Sequence, residues 1–563
     1  MGEIEQISVP LIQENFSRPW RRAWPSHLPI SLDYPHVPTW WILERNLDQF
    51  ADRIAIRFLD HASLLEKQAL TYSSLVTQAR SLAAGLQKLR VQKGDRVAIY
   101  LPNSPELIVS FYGIWRAGAV VVPCNPMFKE QELETQVRDA DACLMIASGE
   151  GAATAAAVAK KIGIPLVLTS PGAGLHAKDV IFFEGLLAED PRHLSDVFIN
   201  PSEDLALLLY TGGTTGAPKG AMLTHRNIVA NTIQFAEWYA FEPGQETCIS
   251  VLPMFHSGGM SGAMNIPLYS GATLLVMSRF NPLSVAKAVE RFQATRLFGV
   301  PTMYIGILNN EEARHCDLSS LKACRTNASP LPASVKAAFD ELVGHEVLVE
   351  GYGLTETSPL THANPIQKAK AGSIGIPLPD TDAKIVDLST REDLPPGRTG
   401  EIVIRGPQVM KGYWKKPEET SEVIKENWLH TGDVAYMDDE GYFFIVDRLK
   451  DVINTAGYKV WPREVEEVIY NHPSVKMVAV VGVEDSYRGE VVKAFVVPKE
   501  NYDGRATEEE IIKFCKERLA AYKVPRVVEF REELPVSGAG KVLRRVLREH
   551  ARTGQKNPLG DKS

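Results

Sequence analysis

The stretch LLLYTGGTTGAPKGAMLTHRN, Leu207 to Asn227, runs an apolar segment into a loop dense in glycine and threonine that carries one lysine. Threonine hydroxyls and unhindered backbone N–H groups together form an anion nest, and Lys219 adds a point charge where phosphate oxygens would sit. The Walker A pattern GxxxxGK[ST] is not met. Lys219 follows Pro218 and precedes Gly220, so both the glycine before the lysine and the hydroxyl after it are missing. A phosphate loop of another kind, at the end of a buried strand, is the reading that remains.

Working outward, apolar residues at Leu75, Ala79, Leu82, Leu86 and Leu89 keep the four-and-three spacing of one helix face. RVAIYL then reads as a buried strand, Ser104 and Pro105 as the N-cap and first residue of a helix ending near Gly118, and AVVVP as the next strand. This alternation predicts an α/β fold, with parallel sheets flanked by helices recurring to about residue 370. From Gly372 to Tyr436 short β-type runs separated by DLPPGRTG-like clusters predict a small antiparallel, barrel-like β subdomain. After Asp447, strands VKMVAVVGV and VVKAFVVP, helix EEEIIKFCKERLA and strand VVEF predict a compact α+β unit of about 110 residues. The division is a large N-terminal domain, 1–447, with its β-rich part at about 372–436, and a C-terminal domain, 448–563.

The 563 residues exceed what one core sustains, and 45% hydrophobic with 23% charged residues is an ordinary globular balance. A net charge of -8 argues against a nucleic-acid surface. Six scattered cysteines with no CxxC pair read as reduced thiols in a cytoplasmic setting. The acidic N-terminus lacks a signal-peptide pattern, and no segment reaches the ~18 apolar residues of a membrane span. Peripheral membrane contact and a homodimer stay open.

The glycine loop does not stand alone. YTGGTTGAPKG, PMFHSGG (Pro253 to Gly259), GYGLTET (Gly351 to Thr357), WLHTGD (Trp428 to Asp433), DRLKDVINTAGYKVWPREVE (Asp447 to Glu466) and PVSGAGKVLRR (Pro535 to Arg545) occur in order. In this the chain resembles the adenylate-forming enzymes: acyl-CoA synthetases, 4-coumarate-CoA ligases, firefly luciferase and the adenylation domains of peptide synthetases. The resemblance runs from about Leu70 to Arg548 and implies AMP-forming ligation of a carboxylic acid to coenzyme A, with ATP and Mg²⁺. It implies that Thr211, Gly212, Gly213, Thr214, Thr215 and Lys219 wrap the β- and γ-phosphates. Glu356 would face Mg²⁺, and Thr355 the α-phosphate. Tyr352 would stack on adenine, with Ala328, Glu350 and Gly351 lining the nucleotide and acyl pocket. Asp433 would accept the ribose hydroxyls, supported by Arg448. Lys541 would stabilise the transition state of adenylation. The family's C-terminal domain rotates between the two steps, which implies a mobile unit hinged at Lys450 and a second orientation placing Ala456, Gly457 and Lys459 beside a pantetheine tunnel. Arg279 and Lys459 are candidate coenzyme A contacts. His256 falls between acyl pocket and thiol tunnel, as gate or as structural residue.

The acyl group is less legible. Gly258 and Gly262 stand where the coumarate ligases carry larger polar side chains, which leaves room for an extended or bulky apolar group. Asn327 replaces a glycine usual in the family. A medium- to long-chain fatty acid leads, followed by an aromatic or alicyclic acid, and a stand-alone enzyme loading a carrier protein is the nearest rival activity.

Overall fold

The structure is a computed structural model that describes residues 18–172, 180–211, 218–327, 331–455, 458–485, 488–499, 507–537 and 542–553. Among them two large sheets form the body of the molecule. One has nine strands in the order Ile376–Pro377, Leu360–Ala363, Leu348–Gly353, Ala323–Thr326, Arg296–Gly299, Thr247–Ser250, Thr273–Met277, Ile54–Leu59 and Glu66–Thr71. From Leu348–Gly353 to Ile54–Leu59 it is parallel, and antiparallel strands close both edges. The other has eight strands, with Leu205–Thr211, Val120–Pro123, Arg96–Tyr100, Ala142–Ala147, Leu166–Leu168 and Ile181–Phe182 parallel in that order.

Local chemistry sets the helices against these sheets. Thr71 caps Tyr72–Lys88 through its hydroxyl, which accepts the Ser74 N–H at 3.1 Å, so this helix begins a turn before the apolar stripe at Leu75. Ser104 caps Pro105–Arg116 in the same way, with Pro105 at the first helical position as expected. The buried faces merge into one core, including Trp115, Tyr112 and Phe111.

The small antiparallel sheet is present, but it runs from Asp382–Val386 to Phe443–Arg448 rather than stopping at Tyr436. Phe443–Arg448 pairs with Trp428–Met437, setting Arg448 opposite Asp433. The C-terminal sheet, Tyr458–Val460, Ile453–Thr455, Gly489–Pro498, Val475–Asp485 and Val527–Phe530, has its own apolar cluster around Val480, Val492 and Ile511. No helix among the described residues is long and apolar enough to cross a membrane.

Candidate active site

The predicted residues of the large sheets gather where the parallel strands end. Thr211 ends its strand, Glu350 to Gly353 end another, Asn327 follows Ala323–Thr326, and His256 follows Thr247–Ser250. In open α/β sheets the carboxyl ends of the strands are where ligands bind, at the point where strand order reverses. Thr247–Ser250 is such a point, because the two strands that follow it in the chain, Thr273–Met277 and Arg296–Gly299, pair on opposite sides of it.

The opening stretch is a hairpin. Leu205–Thr211 pairs antiparallel with Lys219–Thr224, Thr211 opposite Lys219, and Thr224 then caps the helix His225–Trp238. Gly212, Gly213, Thr214 and Thr215 lie outside the described residues, as do Ala328, Ala456, Gly457 and Lys541. Lys219 itself is a strand residue. Its Nζ sits 5.1 Å from the centre of the Tyr413 ring, and the Tyr413 hydroxyl donates to Glu356 Oε1 at 2.7 Å. Burial, then the Glu356 carboxylate, raises the Tyr413 phenol well above its ordinary pKa, so it stays a donor. Tyr413 escaped the sequence reading. Its position is set by the pairing of Gly412–Tyr413 with the lysine strand, a contact that local pattern does not announce.

Thr355 and Glu356 belong to a short 3-10 turn, Thr355–Thr357, just past the strand that carries Tyr352. The Tyr352 hydroxyl donates to Asp433 Oδ2 at 2.6 Å, and Arg448 Nε lies 3.1 Å from Asp433 Oδ1. Asp433 is buried, and both of its oxygens are engaged. The pKa of Arg448 rises, first through the Asp433 charge, and that of Tyr352 rises through burial and then through the same carboxylate. A cavity of about 310 Å³ is lined by Glu356 and Tyr413 together with Thr431 and Gly432, which precede Asp433. Glu350 is buried, accepts the Leu331 N–H at 3.3 Å and has its carboxyl pushed up to about 7 by desolvation. Gly351 is closely packed: a Cβ there would press on Leu360 at 3.2 Å and Arg325 at 3.3 Å.

The expected acyl side is built by a helical segment, Ser257–Met260, that widens into a π-helical turn, Ser261–Asn265. Such turns are rare and frequent at functional sites. A Cβ on Gly258 would lie 3.3 Å from Asn327 Nδ2, and one on Gly262 would lie 3.4 Å from Phe298. His256 stands at the N-cap position of this segment without a side-chain capping bond. Its Nε2 is buried without a hydrogen-bond partner among the described residues, and burial lowers its pKa to about 4, leaving it neutral. Arg279 and Lys459 are both exposed, one past the strand Thr273–Met277 and one in Tyr458–Val460.

Lys450 lies in the 3-10 turn Leu449–Asp451 that leaves the small sheet. The C-terminal unit is tied to this turn by Arg544, whose Nη2 lies 2.7 Å from Glu466 and whose Nη1 lies 3.3 Å from Asp447 and 3.7 Å from Asp451. Arg463 donates its backbone N–H to Asp447 at 2.9 Å and Nη1 to the Ile445 carbonyl at 2.7 Å. Sequence reasoning passed over Arg544 because it sat beside Lys541 in a run of basic residues.

Two large, mainly parallel sheets, a lysine-bearing hairpin at a strand end and a tyrosine–arginine pair around the buried Asp433 are the layout of a nucleotide-handling enzyme. The chain belongs to the family of AMP-binding enzymes: the AMP-binding enzyme family matches residues 43–414, and its C-terminal domain matches 464–541. It is 43% identical over 558 residues to the long-chain-fatty-acid–CoA ligase of Bacillus subtilis (strain 168), covering 94% of this chain and 98% of that one. It is 38% identical over 567 residues to the ligase of the same name from Escherichia coli O157:H7, covering 95% and 98%. The crystal structure of the anthranilate CoA ligase AuaEII in complex with anthranoyl-AMP superposes with a TM-score of 0.84 at 28% identity, covering 94% of this chain and 99% of that one.

Proposed function

We propose that the chain joins a fatty acid to coenzyme A through an acyl-AMP intermediate. The supporting observation is that Glu356 and Tyr413, with Lys219 against the Tyr413 ring, line a cavity together with Thr431 and Gly432, the two residues that lead into Asp433 and its partners Tyr352 and Arg448. The acyl class rests on likeness to proteins named long-chain-fatty-acid–CoA ligases.

In the first step a carboxylate oxygen bonds to the α-phosphorus of ATP and the bond to the β-phosphate breaks, releasing pyrophosphate. Asp433 keeps lone pairs free beside Tyr352 and Arg448 to accept ribose hydroxyls, while Lys219 and the loop Gly212, Gly213, Thr214 and Thr215 hold the leaving phosphates. Thr355 faces the α-phosphate, and Lys541 meets the charge that gathers there. Mg²⁺ suits this donor set. Glu356, on the turn beside the lysine hairpin, would offer the ion one hard carboxylate oxygen. An ion held there would neutralise charge on the phosphates.

In the second step the sulfur of coenzyme A attacks the acyl carbon, its proton goes to solvent, and AMP leaves. Glu350 and Gly351 keep the wall between nucleotide and acyl group narrow, and neutral His256 closes the acyl side. Lys450 is the hinge between the domains 1–447 and 448–563. Arg279 and Lys459, with Ala456 and Gly457, receive coenzyme A.

The test is a carboxylic-acid panel scored for AMP release with and without coenzyme A. Fatty acids should release AMP only with the thiol present. Release with a carrier protein and not with coenzyme A would overturn the proposal, and so would aromatic acids outrunning every fatty acid.

A further inference from the structure

Arg325, in the strand Ala323–Thr326, is 1% exposed, and none of its three guanidinium nitrogens has a hydrogen-bond partner among the described residues. It has no ion pair there either. Its guanidinium carbon lies 4.3 Å from the Phe235 ring centre and 5.7 Å from that of Phe298, so aromatic faces stabilise the charge while none of its donors is used. Burial lowers its pKa to about 10, which leaves it a cation at neutral pH. Nearby Tyr239, whose ring is 5.9 Å from Phe298 and 5.0 Å from Phe235, also buries its hydroxyl without a partner.

The register says which way this face looks. Arg325 pairs with Phe298 on one neighbour and with Val349 on the other, so Arg325, Asn327 and Gly351 share the sheet face that carries Phe298. Phe298 is the residue that a Gly262 side chain would touch, Asn327 the one that a Gly258 side chain would touch, and Arg325 the one that a Gly351 side chain would touch. The unpartnered guanidinium therefore belongs to the wall of the expected acyl pocket. A buried cation with no acceptor is costly, and a fully hydrocarbon tail would leave it so.

We propose that Arg325, with the Tyr239 hydroxyl, binds an oxygen substituent on the acyl chain, so that the preferred acids carry a hydroxyl, oxo or second carboxyl group beyond the reacting carboxylate. This rests on the acyl-CoA ligase reading and sharpens its substrate class. The contact is non-covalent: the substituent accepts hydrogen bonds from the guanidinium and changes no bond in either reaction step.

The experiment compares kcat/KM, from AMP release with coenzyme A, for saturated monocarboxylic acids and for equal-length chains bearing a hydroxyl, an oxo group or a terminal carboxyl. The protein should favour at least one oxygenated series by about tenfold or more, the range a hydrogen bond to a charged group supplies. That ratio should fall below about twofold in Arg325→Met, survive in part in Arg325→Lys, and shrink in Tyr239→Phe, a milder change that keeps the ring. No preference in the wild type, or one untouched by Arg325→Met and Tyr239→Phe, overturns the inference. Thermal shift by the same acids without ATP separates the two readings. Oxygenated acids that stabilise the fold without being adenylated would sink the ligase reading alone, and equal turnover of plain and oxygenated acids would sink this one alone.

Discussion

Arg544→Met removes the cation that holds the C-terminal helix Arg544–Thr553 to the segment leaving the small sheet. Methionine keeps most of the volume, so the loss is electrostatic. Asp451 retains Arg548 at 3.0 Å, whereas Asp447 and Glu466 are left, among the described residues, with backbone donors: the Arg448 and Arg463 N–H groups for the first, Val480 N–H for the second. Breaking a buried pair from one side costs about 3–5 kcal/mol. For a unit of this size that lowers the midpoint of its thermal transition by roughly ten degrees or more. The pH sign follows from Asp447, whose pKa burial already raises against the pull of Arg544. Without the cation it rises further above its unfolded value. The penalty is then largest at neutral pH and shrinks on acidification toward the ordinary carboxylate range. Calorimetry at pH 7 and pH 5 reads both effects. Because the helix begins inside the GAGKVLRR segment, three residues after Lys541, acid-dependent exchange of labelled pyrophosphate into ATP should fall further than thioester formation from supplied acyl-AMP. An unchanged midpoint, or a deficit that widens as pH falls, would refute the assignment of Arg544 as the latch.

Asp433→Asn should raise the KM for ATP about tenfold to a hundredfold, the value of one or two hydrogen bonds to a charged group, while the KM for the acid stays put; pyrophosphate exchange against each substrate reads the difference. Lys541→Ala should cripple adenylate formation and spare thioester formation from acyl-AMP, and Gly457→Leu should do the reverse; equal loss of both half-reactions in either variant contradicts domain alternation. Acidification from pH 7 to pH 5 should destabilise the fold through His225 and His362, both lowered to about 3 by burial, because the unfolded chain takes the protons first, at about 2 kcal/mol for each histidine. Glu350, pushed up to about 7, opposes this by about 2 kcal/mol, since the folded state binds its proton over the same interval, so Glu350→Gln should steepen the acid loss by that amount in calorimetric titration.

What the sequence made legible was local. Ser104 and Pro105 announced their helix because capping chemistry is written in adjacent residues, and the alternation after it announced the parallel sheets. The glycine loop was recognisable as a loop, yet the hairpin around it was not. Pairing of Thr211 with Lys219 depends on the strand after the loop, which reads as an ordinary polar and apolar mixture. Phe443–Arg448 was assigned past the small sheet for the same reason: only its partner strand shows that Arg448 belongs opposite Asp433. Tyr413 and Arg544 take their meaning from residues remote in sequence, and neither type is unusual where it stands. Arg325 is different, because a charged residue inside ACRT breaks a strand otherwise free of charge, and that break was a signal.

That break also bears on how the pocket divides its work. The strand Ala323–Thr326 runs between the strand of Phe298 and the strand of Gly351, so one face of three neighbouring strands presents a ring, a guanidinium and a bare backbone in sequence. A Cβ at Gly351 would press on Leu360 and Arg325, and a Cβ at Gly258 or Gly262 would come up against Asn327 or Phe298, so the glycines let these segments approach the same sheet face closely. Space and charge thus come from different strands of one sheet, while nucleotide contacts come from the hairpin, the 3-10 turn and the small sheet. A change at Arg325 can therefore alter which acid is chosen without touching the groups that hold ATP, and a change at Asp433 should do the opposite.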